Sequence, residues 1–508
     1  MNIEFSLLDE FEYSGTWWLP EKEQESLNGV LKFKHNYIEL ELIGTFGRTQ
    51  RHDLIEFDMM HGYLNGGKKV TLYKVSMINE QRLGNNRAGY ENTFGKSIFN
   101  CRYIFFGTHF SQEKDIIFIS LSANFTYLDK WINNKFEYKC VEEEHIIKCS
   151  TIDCKLNLES IKSILYISSI PNALGDLQTD IKINYSSTMN LQPIGAQNWE
   201  WFQKRIIDLG NLLTLFMGYP VYPIKLYAQI INQSYHNIVD IYYTIPNPKI
   251  IGDLHPREIE ITFSDLNGFP NHLIAKDIDN WFKEMDTIAP VVDLFFLTFY
   301  DPSMNSHIYF LTLMQAIETF HRRVYEEKSS YLKKDKFKLL KNALISSIPA
   351  ELIKATTDEN IDQIKNSELI ERNEDLTKNL ESKISFGNEF SLTTRLKKLQ
   401  DCGRGQFKWF KMLMEDELDS QEKVIQKLVA TRNYYTHFNA NSRKKSFSDQ
   451  DLPRINYKLS VFLRVLLIEL IDESGILGVS GIVISSVQKL RMSQESKKSS
   501  KTRQKQGI

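Results

Sequence analysis

Near Asp301 the chain changes its pattern, and that break constrains the fold more than any other feature. Before it, short β-branched or aromatic runs (Val30 to Phe33, Ile38 to Ile43, Val70 to Val75, Ile116 to Leu121) are separated by turn signals such as Asn65-Gly66-Gly67 and Gly84-Asn85-Asn86. Strands of this kind build a sandwich or a barrel. After it the periodicity is helical throughout. The expected fold is α+β and multidomain. Residues 1–155 form a β-rich, sandwich-like region and 156–300 a mixed α/β continuation. Residues 301–480 form an all-α bundle, and 481–508 a basic, disordered tail. The middle part carries a strand at Ile181 to Tyr185 and a helical stretch from Asn198 to Met217. It also has proline turns at Tyr219-Pro220-Val221-Tyr222-Pro223 and Pro246-Asn247-Pro248.

The helical part opens at Asn305 to Lys328 and continues through a charged, weakly apolar stretch from Asp358 to Ser382. Ser391 caps a helix carrying Leu392, Leu396 and Leu399. Further helices are expected at Phe407 to Asp416, Gln421 to about Thr436 and Leu452 to Glu473. The apolar run Leu459 to Ile471 is broken by Arg464 and Glu469 and is too short to span a bilayer, so it reads as a buried helix. The acidic N-terminus is no signal peptide, and a cytoplasmic location without membrane attachment follows. With 508 residues, 42% hydrophobic and 25% charged, the chain fits two to four soluble domains. Its net charge of −2 means that any nucleic-acid binding must rest on a local basic surface. The five cysteines offer no disulfide framework. Cys140, His145, Cys149 and Cys154 lie close together in sequence, but their spacing matches no C-x2-C pattern; metal binding there stays open.

The chemistry concentrates at residues 421–437. Val424, Ile425, Leu428, Val429 and Tyr435 fall on one side of a helix, and Arg432 projects near the middle of that side. A guanidinium there needs a partner, and a phosphate is a natural one. Asn433 and His437 are four apart and share a face. Arg432 and His437 are about 140° apart in a regular helix. Asn439-Ala440-Asn441-Ser442 signals that the helix stops nearby, which leaves His437 in its last turn or just beyond. There it can exchange protons near neutral pH. Arg102 and His109, in R-Y-I-F-F-G-T-H, have a similar spacing, but that segment reads as a strand.

R-N-Y-Y-T-H at 432–437 resembles the R-x4-6-H signature of HEPN ribonucleases. F-L-T-L-M-Q-A-I-E-T-F-H-R-R (310–323) resembles the opening helix of ApeA-like HEPN domains, and L-T-T-R-L-K-K-L (392–399) falls where that family has another helix. G-T-W-W-L-P (15–20), G-V-L-K-F (29–33), I-E-L-E-L-I-G-T-F (38–46) and F-T-Y-L-D-K-W (125–131) resemble the N-terminal domain of ApeA. The resemblance implies a C-terminal HEPN bundle in an anti-phage, abortive-infection-type defence protein. It also implies an RNA partner, with transfer RNA a candidate, a homodimer or higher homo-oligomer, and a phage-derived trigger acting at the N-terminal region. The implied mechanism needs no metal or cofactor: the ribose 2′-hydroxyl attacks the adjacent phosphate, His437 serves as general base or acid, Arg432 offsets the developing charge, and Asn433 orients His437 or contacts the phosphate.

Other residues carry paired readings. His321 is a hydrogen-bonded core histidine, or else a partner of Arg432 or a second catalytic histidine. Glu318 is a surface charge or pairs with Arg432. Arg443-Lys444-Lys445 is a solvated loop or holds the RNA backbone. Tyr434 is a surface ring or stacks on a base. Trp17 and Trp18 pack a core or form a sensing surface. Two competing functions remain: a catalytically silent HEPN-like scaffold, and a β-domain sugar or peptide binder with a helical dimerisation region.

Overall fold

The computed structural model describes residues 5–46, 55–82, 95–141, 144–176, 180–231, 236–301, 303–326, 330–347, 378–400, 409–415, 417 and 420–505. The expected turn at Gly84-Asn85-Asn86, most of the charged 358–382 stretch and Cys402 lie outside them. The chain divides into two compact units: Met1–Glu284 with Leu470–Ile482, and Met285–Glu469 with Val483–Ile508.

In the first unit, β1 (Phe11–Trp18), β2 (Leu27–Lys34), β3 (Tyr37–Ile43), β4 (Glu56–Leu64), β5 (Lys69–Arg82) and β6 (Gly95–Phe106) are all antiparallel. They are joined in the order β6-β3-β2-β1-β4-β5, and β5 pairs back onto β6. The alternative of sandwich or barrel is thus resolved as a six-stranded closed barrel. Strict alternation fills it: Leu31 and Phe33 on β2, and Ile38, Leu40 and Leu42 on β3, are fully buried while their neighbours are not. Trp17 is completely buried and lies opposite Gly62 in the β1–β4 register, where a Cβ would meet the indole at 2.3 Å. Trp18 is buried too, so both tryptophans take the packing role.

The sheet then runs outward from β6. The unit's remaining strands are β8 (Ser120–Phe125), β11 (Ile152–Leu158), β12 (Ser163–Asp176), β13 (Asp180–Pro193), β15 (Pro223–Ile231) and β16 (His236–Tyr243), together with two separate two-stranded sheets, β7 (Ile117–Phe118) with β14 (Gln197–Asn198) and the hairpin of β9 (Phe136–Val141) and β10 (Glu144–Cys149). The order β6-β16-β15-β8-β13-β12-β11 completes one twelve-stranded sheet. Helix α1 (Leu128–Ile132) falls within the β-rich region, and helices α2 (Trp199–Met217) and α3 (Phe263–Leu266) supply the mixed character expected of the middle region. Cys140 lies across from His145, while Cys149 lies across from Phe136, four residues along the hairpin and about 13 Å away. Cys154 is buried on β11. Among the described residues no three of these groups gather.

Helical character begins earlier than the sequence suggests, with α4 at Asn271–Tyr300. Its end, V-V-D-L-F-F-L-T-F-Y, is rich in strand-favouring types, and burial overrides that preference. The second unit holds α5 (Ser306–Val324), α6 (Lys334–Ser346), α7 (Leu392–Leu399), α8 (Trp409–Met414), α9 (Gln421–His437), α10 (Ala440–Arg443) and most of α11 (Leu452–Ile471). Helix α9 packs against α5, α7 and α8. Helix α11 is the buried helix expected from its sequence, with Ile455, Leu459, Phe462, Leu463, Val465 and Leu467 inaccessible. The expected disordered tail is instead α12 (Val479–Lys505). No Gly or Pro interrupts 482–505, its Lys, Arg, Gln and Glu residues favour helix, and Ile482, Val483 and Ser486 are buried at its start. No described helix is long and apolar enough to cross a membrane.

Candidate active site

Helix α9 starts at Ser420, whose hydroxyl accepts the Lys423 N–H. Its inward stripe is Val424, Ile425, Leu428, Thr431 and Tyr435. The centre of that stripe is therefore Thr431 rather than Arg432. The Thr431 hydroxyl donates to Lys427 O at 2.7 Å and accepts from Phe447 N at 2.9 Å, so a small polar group is satisfied where a guanidinium would not be. Arg432 lies at the edge of the stripe, half-buried. Its one side-chain partner among the described residues is the amide oxygen of Asn433, at 3.4 Å.

His437 is the last helical residue and is exposed. Phe438 stops the helix in the left-handed region, at φ 51°, and Asn439 caps α10. Asn433 thus lies one turn below His437, as expected. Arg432 and His437 stay on different faces because the helix is regular up to the histidine. No hydrogen bond joins them within one chain, among the described residues.

The turn after the motif is locked by a residue that spacing did not reveal. Asp449 accepts from the Tyr435 hydroxyl and binds Arg443 through both carboxylate oxygens, at 3.2 and 2.9 Å. The Arg443 hydrogen bond holds the Asp449 carboxyl below its usual range. Burial, then the Asp449 bond, pushes the Tyr435 phenol up. The Arg443 guanidinium also covers the Tyr434 ring at 4.8 Å. Two of the residues read as RNA contacts are thus committed to each other, while Lys444 and Lys445 are exposed. His307, at the start of α5, stacks on Tyr435 with ring centroids 5.6 Å apart. Nothing in the sequence pattern marks His307 or Asp449, because their association depends on packing between α5 and α9.

Glu318 and His321 do not meet Arg432. Glu318 binds Arg322 at 3.0 Å along α5. His321 is 2% exposed, and its Nδ1 accepts from Arg395 Nη1 at 3.2 Å. Since a guanidinium only donates, the ring proton sits on Nε2. Arg395, 1% exposed, also donates Nε–H to Phe390 O at 3.0 Å and approaches Glu389 at 3.7 Å. His321 is the core histidine of its first reading.

Burial, followed by the Arg395 charge, pushes the His321 imidazole down to about 4, from an ordinary 6.5. Between those values the unfolded chain binds a proton that the folded chain refuses. The stabilisation is complete above pH 6.5 and is lost as pH falls toward 4. The melting temperature of the wild type is expected to drop over that window more steeply than that of His321→Gln. Parallel profiles in a pH-resolved thermal melt would contradict this.

The chain matches the family model described as ApeA N-terminal domain 1 over residues 12–273 and the one described as Apea-like HEPN over residues 311–472. No curated protein and no solved structure matches it. The first match spans the barrel and the sheet that extends from it, and the second spans α5 to α11 with the Arg432–His437 segment inside. The chain therefore belongs to the ApeA family of anti-phage defence proteins, with an N-terminal ApeA domain and a C-terminal HEPN domain of the nuclease type.

Proposed function

We propose that this protein is a metal-independent endoribonuclease that halts phage growth by cutting RNA, with transfer RNA as the target class. The cleft is assembled from two copies of the chain, and a phage-derived component acting on the N-terminal region sets it to work. The observation that carries this reading is the uncommitted state of the motif. Arg432 has a neutral amide oxygen and no carboxylate beside it among the described residues, and His437 stands exposed at a helix end. A guanidinium without a carboxylate is available to a phosphodiester. The silent-scaffold reading would be favoured by an internal salt bridge engaging Arg432, and no described residue forms one.

The chemistry balances without a metal. His437 of one copy takes the 2′-hydroxyl proton, the 2′-oxygen attacks the adjacent phosphorus, and the bond to the 5′-oxygen breaks. The imidazolium of the second copy protonates that leaving oxygen. The products are a 2′,3′-cyclic phosphate and a 5′-hydroxyl. Arg432 stabilises the charge on the non-bridging oxygens, and Asn433 holds the His437 ring one turn above it. Two motifs facing each other remove the 140° mismatch that a single helix imposes. Lys444 and Lys445 draw in the RNA backbone.

An RNA oligonucleotide incubated with the protein in EDTA is expected to be cut to cyclic-phosphate ends. The same oligonucleotide with a single 2′-deoxy sugar at the scissile position is expected to stay intact. Equal cutting of both, or cutting that returns only with added magnesium, would overturn the mechanism.

A further inference from the structure

The strand-rich unit carries a cavity of about 670 Å³ that the nuclease reading does not use. That volume lies in the range of ligand pockets, ~300–1,000 Å³. Its position follows from an opening in the sheet. Strand β13 pairs with β12 along its whole length, but with β8 only over Met189–Leu191. Strand β8 pairs with β15 from Ser120 to Phe125, but beyond Ala123 no ladder among the described residues joins it to β13.

The ladder parity tells which backbone groups face this seam between β8 and β13. Tyr185 lies across from Pro171, which has no N–H to give, so this pair exchanges no hydrogen bonds. The alternation gives Ser187 and Met189 the same direction, away from β12. Met189 accordingly meets Ala123 of β8. At Ser187 side chains replace the missing strand: Asn124 Nδ2 donates to its carbonyl at 2.5 Å, and the Asp129 carboxylate takes its N–H. The next position, Tyr185, presents its N–H and C=O to the seam, and no described strand lies across from them.

Two residues that line the cavity also have uncommitted side chains. The Tyr185 phenol oxygen, buried behind the cavity wall, has no hydrogen-bond partner among the described residues. Lys225, in register with Asn124 on β15, makes no ion pair among the described residues, whereas Lys68 and Asp240 neutralise each other at 2.9 Å. An open backbone edge and an ammonium without an ion pair among the described residues line one space.

We propose that this seam binds an extended peptide segment bearing a carboxylate, which adds as a strand to β13 at Tyr185 and sets its acidic group on Lys225. The site is independent of whether the helical unit cuts RNA, and binding tests it directly.

The full-length chain is titrated with two fluorescent, acetylated and amidated five-residue pools, X-X-Glu-X-X and X-X-Lys-X-X, where X is Val, Thr, Ile, Ser or Tyr. The Glu pool is expected to bind at least tenfold tighter than the Lys pool. Tyr185→Pro removes the edge N–H without touching a ladder bond, and it should weaken Glu-pool binding tenfold or more. Lys225→Glu should do the same and raise binding of the Lys pool. Should Tyr185→Pro fail to fold, a Glu pool methylated on its backbone nitrogens replaces it and should not bind. The proposal is overturned if neither pool binds, if both variants bind as the wild type does, or if free glutarate displaces the Glu pool at equal concentration.

Discussion

Replacing His437 with alanine is expected to slow RNA cleavage by a factor on the order of 10²–10⁴, the usual worth of a positioned general acid or base. Folding should be untouched. The side chain is exposed, and the residues that end the helix, Phe438 and Asn439, act through their backbone and through the Asn439 amide. Arg432→Ala should cost about 10²–10³ through loss of charge stabilisation in the transition state. Arg432→Lys should recover only part of that, because an ammonium cannot grip two phosphate oxygens at once. The double variant should lie near the worse single one, since the two groups act on one reacting phosphate. Initial rates with a fluorescent oligonucleotide, alongside thermal melts, check all four. A folded His437→Ala protein that cuts at the wild-type rate would remove the histidine from the chemistry.

Arg395→Ala should be the most damaging single change to the helical unit. The guanidinium satisfies His321 Nδ1 and Phe390 O in a space closed to solvent. Each orphaned acceptor costs about 1–3 kcal/mol, and the missing side chain leaves a void. The total is roughly 3–5 kcal/mol. For a unit of this size that corresponds to a fall of about 10 °C in melting temperature. Arg395→Lys should recover part of the loss by donating to one acceptor. A change of less than about 2 °C in Arg395→Ala would mean that His321 and Phe390 find other partners.

The fold was legible in outline because its two halves obey different periods. Alternation along Val30 to Phe33 and Ile38 to Ile43 marks barrel strands, and the 3.6-residue spacing of Val424, Leu428 and Tyr435 marks α9 to within a residue of its end. Closure of the barrel was not legible, because it depends on β5 returning to β6 across the whole meander. Helix α4 was hidden by a run of Val, Phe and Thr whose local preference points to strand. The tail misled in the opposite sense: its serines and lysines resemble a solvated coil, yet no residue in it forbids helix.

At the site, the helical spacing gave the placement of Arg432, Asn433 and His437 on α9. The partners of Arg443 and His321 were not legible. Packing alone selects Asp449 for Arg443 and Arg395 for His321, while Glu318, read as a surface charge or a partner of Arg432, pairs with Arg322 along its own helix. Thr431 shows the same limit on a smaller scale: a hydroxyl satisfied by two backbone groups displaced the arginine from the centre of the buried stripe.

The most direct measurement co-expresses two inactive chains, one carrying Arg432→Ala and the other His437→Ala, and assays the purified mixed oligomer on RNA. If the two motifs converge in a shared cleft, the mixed species holds one intact guanidinium and one intact imidazole around a single phosphate; with one of the two histidines missing it stays well below the wild type, but cleavage should rise at least tenfold above that of either parent. A mixed oligomer as inactive as either parent would contradict the shared site and, with it, the way this helix is held to bring its arginine and histidine together.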